Sequence, residues 1–525
     1  MIEYGLALLA GIFYGLIVGI IPAAGATTGL VVLFPFIIML QSVDPYLAVV
    51  FIMAVVASST TGDTFASILL GIPGSNSSAA TMVDGFPLAQ KGLAAYAMSA
   101  AITTSTINGL IFGSLTFLLL PWYKDLILLP ATQGGVGQAE VFAFCVLAFV
   151  TVSFVSNKHW FRALLALSLG VFLALVGVDP VTAAPRFTMG FEFLEGSGVG
   201  KGIPLIPVMA GLFAMPEIIL AFKKHTMLAD EHVDNNYKQV LDGIKISFTE
   251  WKLSLRGGMI GAIVGFLPGI GGAVSDWLAY GQTVATNPKE QFGNGNIKGV
   301  IGPEGSNNAQ KATSMLPTVL FGIPGAPFTA IIIGLFATIG FDLSLDSANV
   351  LKDPDFFNAM SIGFLVATAV TGIICLLTIK QISAIAHVPY KYYFPALLIL
   401  IFWATYTSGF STYGIEYMAL LVVFTVLGLA MRNWSFSRPA LLIGFMLGDK
   451  IEKLSAQTLN LYNVGGFPLI KLKEFFGYEV GQGQMNLALL PGRDLLQHPT
   501  FVVITILIAV VFIWGWKNKG RLEYS

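Results

Sequence analysis

Two four-residue stretches, GIPG at 71 to 74 and GIPG at 322 to 325, stand in otherwise apolar surroundings. Pro73 and Pro324 suit the first turn of a new half-helix, where a missing N–H costs nothing. Gly71, Gly74, Gly322 and Gly325 permit turns and close backbone approach. A half-helix begun in this way aims free N–H groups and a partial positive charge at whatever lies before it, which favours an anion. The residues that follow differ: Ser75, Asn76, Ser77 and Ser78 in the first stretch, Ala326, Pro327, Phe328 and Thr329 in the second. One arm is polar and the other mostly apolar, a division suited to holding a carboxylate at one end and a carbon skeleton at the other. The plainer alternative is that GIPG kinks two packed helices and that the serines bond to the preceding turn.

Further polar groups lie in apolar runs: Ser58 to Thr61, Asp63 and Thr64 before the first GIPG, and Ser275 with Asp276. Ionisable residues at membrane depth are functional candidates by default. Asp63 and Asp276 are candidates for cation coupling, holding a sodium ion through hard oxygen ligands or relaying a proton, with helix capping as the alternative. No other metal and no organic cofactor is suggested. The run IGPEGSNNAQKATS at 301 to 314 adds Glu304, Asn307, Asn308 and Lys311. Its amides and ammonium suit an anion, and a polar loop at the membrane surface is the other reading.

The elements that must position these residues are membrane helices. The chain has 525 residues, 55% hydrophobic and 11% charged, with a mean hydropathy of +0.78; soluble domains carry about 25% charge. Residues 94 to 120, 359 to 379, 394 to 412 and 499 to 516 contain no Asp, Glu, Lys, Arg or His, and each is long enough to cross a bilayer of about 30 Å as a helix. With shorter or interrupted runs the expectation is an all-α integral membrane protein of about a dozen transmembrane elements. The first apolar run, with no basic residue before it, reads as a retained helix. Cys145 and Cys375 have no motif around them and suggest neither a disulfide nor a thiolate metal site.

Lys and Arg gather at Lys158 and Arg162, Lys223 and Lys224, Lys380 and Lys391, Arg432 and Arg438, and Lys517 to Arg521, marking candidate cytoplasmic loops. Residues 223–256 form the longest polar loop and divide the chain. The expected organisation is a first membrane repeat with following helices (1–222), a cytoplasmic linker (223–256), a second repeat with following helices (257–431) and C-terminal membrane segments (432–525). GLIVGIIPAAG at 15 to 25 aligns without a gap on GAIVGFLPGIG at 261 to 271, six of eleven positions matching. Pro22 precedes Pro73 by 51 residues and Pro268 precedes Pro324 by 56. The first copy starts at an end bare of Lys and Arg, the second just after Lys252 and Arg256, so the copies are expected to enter from opposite sides. Inverted repeats with Gly/Pro-broken helices or re-entrant hairpins are the pointer to a transporter site near the bilayer midplane.

Other classes find little support. The five histidines are scattered, no HExxH or Ser-His-acid pattern is present, and the absence of GxxxxGK[ST] argues against a primary pump. Nucleic acid would find no basic face. A passive anion channel is the harder rival, because Gly-rich breaks also build pores.

Taken in order, the segments GIIPAAGATTG at 19 to 29, ILLGIPGSNSSAATMVDGFPLAQKG at 68 to 92, GVDPVTAAPRFTMG at 177 to 190, GFLPGIGGAVSDWLAYG at 265 to 281, FGNGNIKGVIGPEGSNNA at 292 to 309 and LPTVLFGIPG at 316 to 325 resemble the large membrane subunit of the tripartite tricarboxylate transporters, the TctA-type family. The resemblance implies a multi-pass subunit of the bacterial inner membrane that imports carboxylates on a cation gradient. It also implies two partners, a small four-helix-type membrane subunit and a periplasmic solute-binding protein. GDTFAS at 62 to 67 and Lys311 depart from the usual pattern, and these departures bear on substrate and coupling ion.

Overall fold

The computed structural model describes residues 2–21, 25–71, 73–120, 122, 137–155, 160–178, 184–195, 202–223, 237–268, 271–343, 350, 352–386, 390–408, 412–461 and 499–524. The described chain is helical apart from one two-stranded ribbon, Gly177–Val178 paired antiparallel with Pro185–Arg186. Five helices among the described residues are long and apolar enough to cross a membrane, and six shorter apolar helices accompany them.

The first half contains α1 (Ile2–Ile20), α2 (Gly25–Val32), α3 (Phe34–Gln41), α4 (Pro45–Leu70), α5 (Thr81–Gln90) and α6 (Ala94–Phe117). The second contains α7 (Tyr237–Thr249), α8 (Trp251–Phe266), α9 (Gly271–Thr286), α10 (Lys298–Thr313), α11 (Met315–Phe321), α12 (Pro327–Thr338) and α13 (Pro354–Leu377). Local sequence sets these boundaries. Asp44 and Asp353 are N-caps, accepting from Tyr46 N and Asp355 N at 2.9 and 3.0 Å, with Pro45 and Pro354 at the first helical position. At the other end, α4 and α11 stop on left-handed glycines of nearly equal dihedrals, Gly71 (φ 61, ψ 26) and Gly322 (φ 60, ψ 29), the ordinary glycine C-cap.

The two segments aligned in the sequence, called copies below, pack in the same manner. α1 lies along α4 through Gly11, Gly15 and Gly19; a Cβ at Gly11 would sit 2.8 Å from Ala54 Cβ, and one at Gly19 2.9 Å from Gly62 Cα. In the second copy α8 lies along α10 through Gly257, Gly261 and Gly265, and a Cβ at Gly261 would sit 2.7 Å from Ser306 Cα. Three glycines at four-residue spacing bring the two backbones together in each pair, where no hydrophobic force acts between helices. The last long helix of each copy then crosses over. α6 packs on α10 of the second copy, and α13 packs on α4 of the first. This reciprocal exchange welds the copies into one core, in which α4 is buried on every side from Leu47 to Leu69.

Of the expected linker 223–256, residues 224–236 fall outside the described ones, and α7 with the start of α8 takes up most of the rest. Of the other helices, 138–155, 160–174, 438–461 and 499–524 form a flank in which 438–461 packs on 160–174 and 138–155, while 205–223, 390–408 and 414–433 pack on one another.

Outside the membrane-spanning segments, Lys298 bonds Glu290 at 2.8 Å and approaches Glu250 at 3.4 Å. The bond to Glu290 holds the lysine above its ordinary pKa and, in return, the glutamate below its own. Nearby, Asp84 of the DGFPLA segment is fully buried and accepts three backbone N–H groups, from Gly293, Gly295 and Asn296 at 2.8 to 2.9 Å, and the Tyr280 hydroxyl at 3.0 Å. It pins α5 to the 287–297 loop of the other copy.

Candidate functional site

Four helix breaks, two from each copy, meet at one place. The break after α1 reaches the first GIPG: a Cβ at Gly25 would lie 3.1 Å from Ser75 Cβ. The break after α8 reaches both GIPG arms, with Gly271 facing Pro327 (3.7 Å from its Cβ position to Pro327 Cδ) and Gly272 facing Ser77 and the Gln310 side-chain oxygen. Breaks of this kind survive in a membrane only where protein or a wet cavity satisfies the backbone.

After Gly71 the chain runs through Pro73 to Gly74, which abuts Asp63; a Cβ there would be 2.6 Å from Asp63 Cα. Ser75 is the N-cap of a single 3-10 turn, Asn76–Ser78. Its hydroxyl accepts from Ser77 N at 3.2 Å and donates to Asp63 Oδ2. Ser78 closes the cap, accepting from Ser75 N at 3.4 Å and from Ser67 Oγ at 2.8 Å. In the second copy Thr329 Oγ1 does the same work, accepting from Ala326 N at 3.0 Å and donating to Ala326 O at 2.8 Å. Gly325 packs on Ser314 and donates to Thr318 Oγ1 at 3.4 Å. Pro324 is buried between Gly322 and Gly325.

Behind the arms lie α4 and α10. Glu304, Asn307 and Lys311 are three and four residues apart on α10 and so share a face. Asn307 Nδ2 donates to Asp63 Oδ1 at 3.4 Å, and the Thr64 hydroxyl contacts both Glu304 oxygens at 3.2 Å. Lys311 is buried, acts electrostatically on Asp63, and places its ammonium 4.6 Å from the centre of the Phe328 ring, within cation–π range. Asp276 Oδ2 accepts from Ala80 N at 2.5 Å, so this aspartate does cap the turn that leads into α5. Its other oxygen is buried without a hydrogen-bond partner, as are Ser275 Oγ, Asn307 Oδ1 and both amide atoms of Gln310. Buried polar atoms are nearly always paired in finished structures, and each left unpaired costs about 1–3 kcal/mol. Asp63, Asp276 and Glu304 are all buried and interact with one another, and Lys311 acts on Asp63. Among the described residues no three acids, cysteines or histidines converge closely enough to hold a metal ion between them.

Thus the structure draws together Ser75, Ser77, Asn307, Lys311, Asp63 and Asp276, with Gly71, Gly74, Gly322 and Gly325 as the turns that let them meet. Asn76 opens the 3-10 turn, and its side chain lies outside the described residues. Asn308 is turned instead toward α6, where Gly109 abuts its Cβ and also meets Thr368 of α13. Ser78 and Thr329 are occupied as caps. Two residues were passed over in the sequence. Gln310 sits inside the quoted 301–314 run, and its helical phase beside Asn307 and Lys311 was the available signal. Lys450, whose ammonium donates to Gly322 O at 2.6 Å, comes from the 438–461 helix and gave no local signal.

Comparison with known proteins identifies the family. A family model described as the tripartite tricarboxylate transporter TctA family matches residues 6–443. A protein of Agrobacterium vitis, printed as an uncharacterized 52.8 kDa protein in the TAR-I ttuC' 3' region, is 27% identical over 449 residues, 84% of each chain. A second from the same organism, printed as an uncharacterized protein in the TAR-II ttuC' 3' region, is 30% identical over 195 residues, 37% of this chain and 78% of the relative. No solved structure matches. With the matched region holding both broken-helix pairs and the polar site between them, the chain belongs to the tripartite tricarboxylate transporter TctA family, and is a multi-pass membrane component of such a system.

Proposed function

We propose that this chain is the large subunit of a secondary carrier in the bacterial inner membrane, importing small carboxylate anions on a sodium or proton gradient. It would work with a small four-helix-type membrane subunit and receive substrate from a periplasmic solute-binding protein. The observation that carries the reading is the meeting of four helix breaks, with the buried Lys311 reaching Phe328 beside the second GIPG. A buried ammonium with an aromatic ring on one side and the N-terminal turn Asn76–Ser78 nearby suits an anion with an apolar body. The buried carboxylates of Asp63, Asp276 and Glu304 support a cation as co-substrate, since buried charge is ordinarily paired or coordinated. One carboxylate with neutral oxygens around it, as at Asp276 or Asp63, suits a monovalent ion or a proton better than a divalent metal. Reciprocal exchange of α6 and α13 supports copies of opposite topology, the arrangement in which one site can open alternately to either side.

The test is uptake of labelled di- and tricarboxylates into vesicles holding the assembled system, with an imposed sodium or proton gradient. The expected result is accumulation above the external concentration that collapses with the gradient, and an Asp63→Asn variant whose uptake no longer depends on the ion. Downhill flux alone, indifferent to both gradients, would make the protein a channel.

A further inference from the structure

We infer that α7 and the start of α8 form a basic-flanked interfacial ridge that binds anionic phospholipid headgroups at the cytoplasmic end of the molecule. The two helices make one nearly continuous rod, since Glu250 N donates to Ile246 O at 2.8 Å and Ser254 N to Glu250 O at 3.0 Å. A ladder of side-chain bonds sets its rotation against α6: Gln239 Nε2 to Gly92 O (3.1 Å), Ser247 Oγ to Ala100 O (2.9 Å) and Asn108 Nδ2 to Ser254 Oγ (2.7 Å). Gly243 faces inward on the same side, against Tyr96 and Ala100.

With that face fixed inward, the outer face is decided at about 100° per residue. Tyr237, Leu241, Phe248 and Trp251 fall on one stripe and are 55 to 66% exposed; the stripe continues through Met259 and Ile263 on α8. Lys238, Lys245, Lys252 and Arg256 follow along one edge of it, all exposed. Asp242, an exposed acid on this side of α7, shares with Lys245 the rim of a cavity of about 430 Å³ lined by Leu93, Tyr96 and Gln239 among others. From 257 to 266 the rod carries no charge.

Water would not leave four large apolar side chains uncovered in a row, and hydrocarbon would not accept four cations. The headgroup layer accepts both, with apolar residues dipping inward and long basic side chains reaching phosphate. Continuity with the uncharged stripe of α8 places the basic half where the hydrocarbon ends. Each basic residue at an anionic surface contributes about fivefold to partition, and the attraction decays within a Debye length.

Cys145 and Cys375 are buried, so a Leu241→Cys variant of the full chain can be labelled selectively with a polarity-sensitive dye. Reconstituted in phosphatidylcholine vesicles with phosphatidylglycerol, the label should shift to the blue and resist an aqueous quencher. Without phosphatidylglycerol, or at high salt, it should be exposed. Adding Lys245→Gln and Lys252→Gln should weaken the lipid dependence several-fold while leaving the yield of reconstituted protein unchanged. Equal protection in both lipids, as a second copy or a partner subunit covering the stripe would give, overturns the inference, and so does equal exposure in both.

Discussion

Asp63 and Lys311 are the residues on which the site turns, and neither is an isolated charge. Asp63 takes a bond from Ser75 on the first broken arm and one from Asn307 on α10, while Lys311 reaches toward the second arm at Phe328. Any movement of either arm is therefore felt at this pair. Asn76 stands at the opening of the 3-10 turn, on the polar arm to which the proposed function gives the substrate carboxylate. Asn76→Asp hardly alters shape and adds a negative charge. At about 4 Å and an effective dielectric near 20 the repulsion is on the order of 4 kcal/mol, and a third of that is about a tenfold loss of affinity. The expected outcome is a raised half-saturation concentration for uptake with normal membrane levels. A residue that merely started the turn would behave oppositely, because Asp favours a helix N-terminus as well as Asn does, and an unchanged half-saturation concentration would remove Asn76 from the site.

At the scale of elements, the breaks were legible because Gly and Pro act locally. GIPG announces its left-handed glycine from four residues, and Gly71 and Gly322 both adopt it; the new N-termini open later than Pro73 and Pro324, at Asn76 and Pro327, because Ser75 and Ala326 take the extended cap positions. Side-chain pairings across elements were less legible. Asn307 and Asn308 look alike in sequence, yet α10 turns one toward Asp63 and the other toward Gly109 and Thr368, a rotation decided by glycine contacts in three neighbouring helices. The Lys450 bond to Gly322 was invisible for the same reason. Gly74 tests how closely the first arm must approach: its Cβ position is 2.6 Å from Asp63 Cα and Cβ, backbone that cannot swing aside. Gly74→Ala should cost about 1–3 kcal/mol of overpacking and abolish most uptake, while Gly281→Ala, with nothing within 4 Å and in a helix, should be neutral. Thermal stability in detergent and uptake, measured on both variants, check this; equal behaviour of the two would show that the close approach is unimportant.

At the scale of the molecule, two copies exchange their last long helices and bring their breaks together, which ties the proposed site to topology. The 287–297 loop lies at the same end as Glu250, through Lys298, and this end is expected to face the cytoplasm. A Lys289→Cys variant should stay unlabelled by an impermeant thiol reagent added to intact cells and react once the membrane is opened; labelling from outside would reverse the assignment. That the four breaks form one carboxylate site is tested most directly at Lys311, the buried cation between them. Substrate-concentration dependence of uptake should be compared for the native chain, Lys311→Gln and Lys311→Arg, with membrane levels checked. Loss of a charge-assisted bond worth about 1.5–3 kcal/mol predicts a half-saturation concentration raised roughly ten- to a hundredfold in Lys311→Gln and partly restored in Lys311→Arg. A Lys311→Gln protein that reaches the membrane and keeps the native half-saturation concentration would contradict the site.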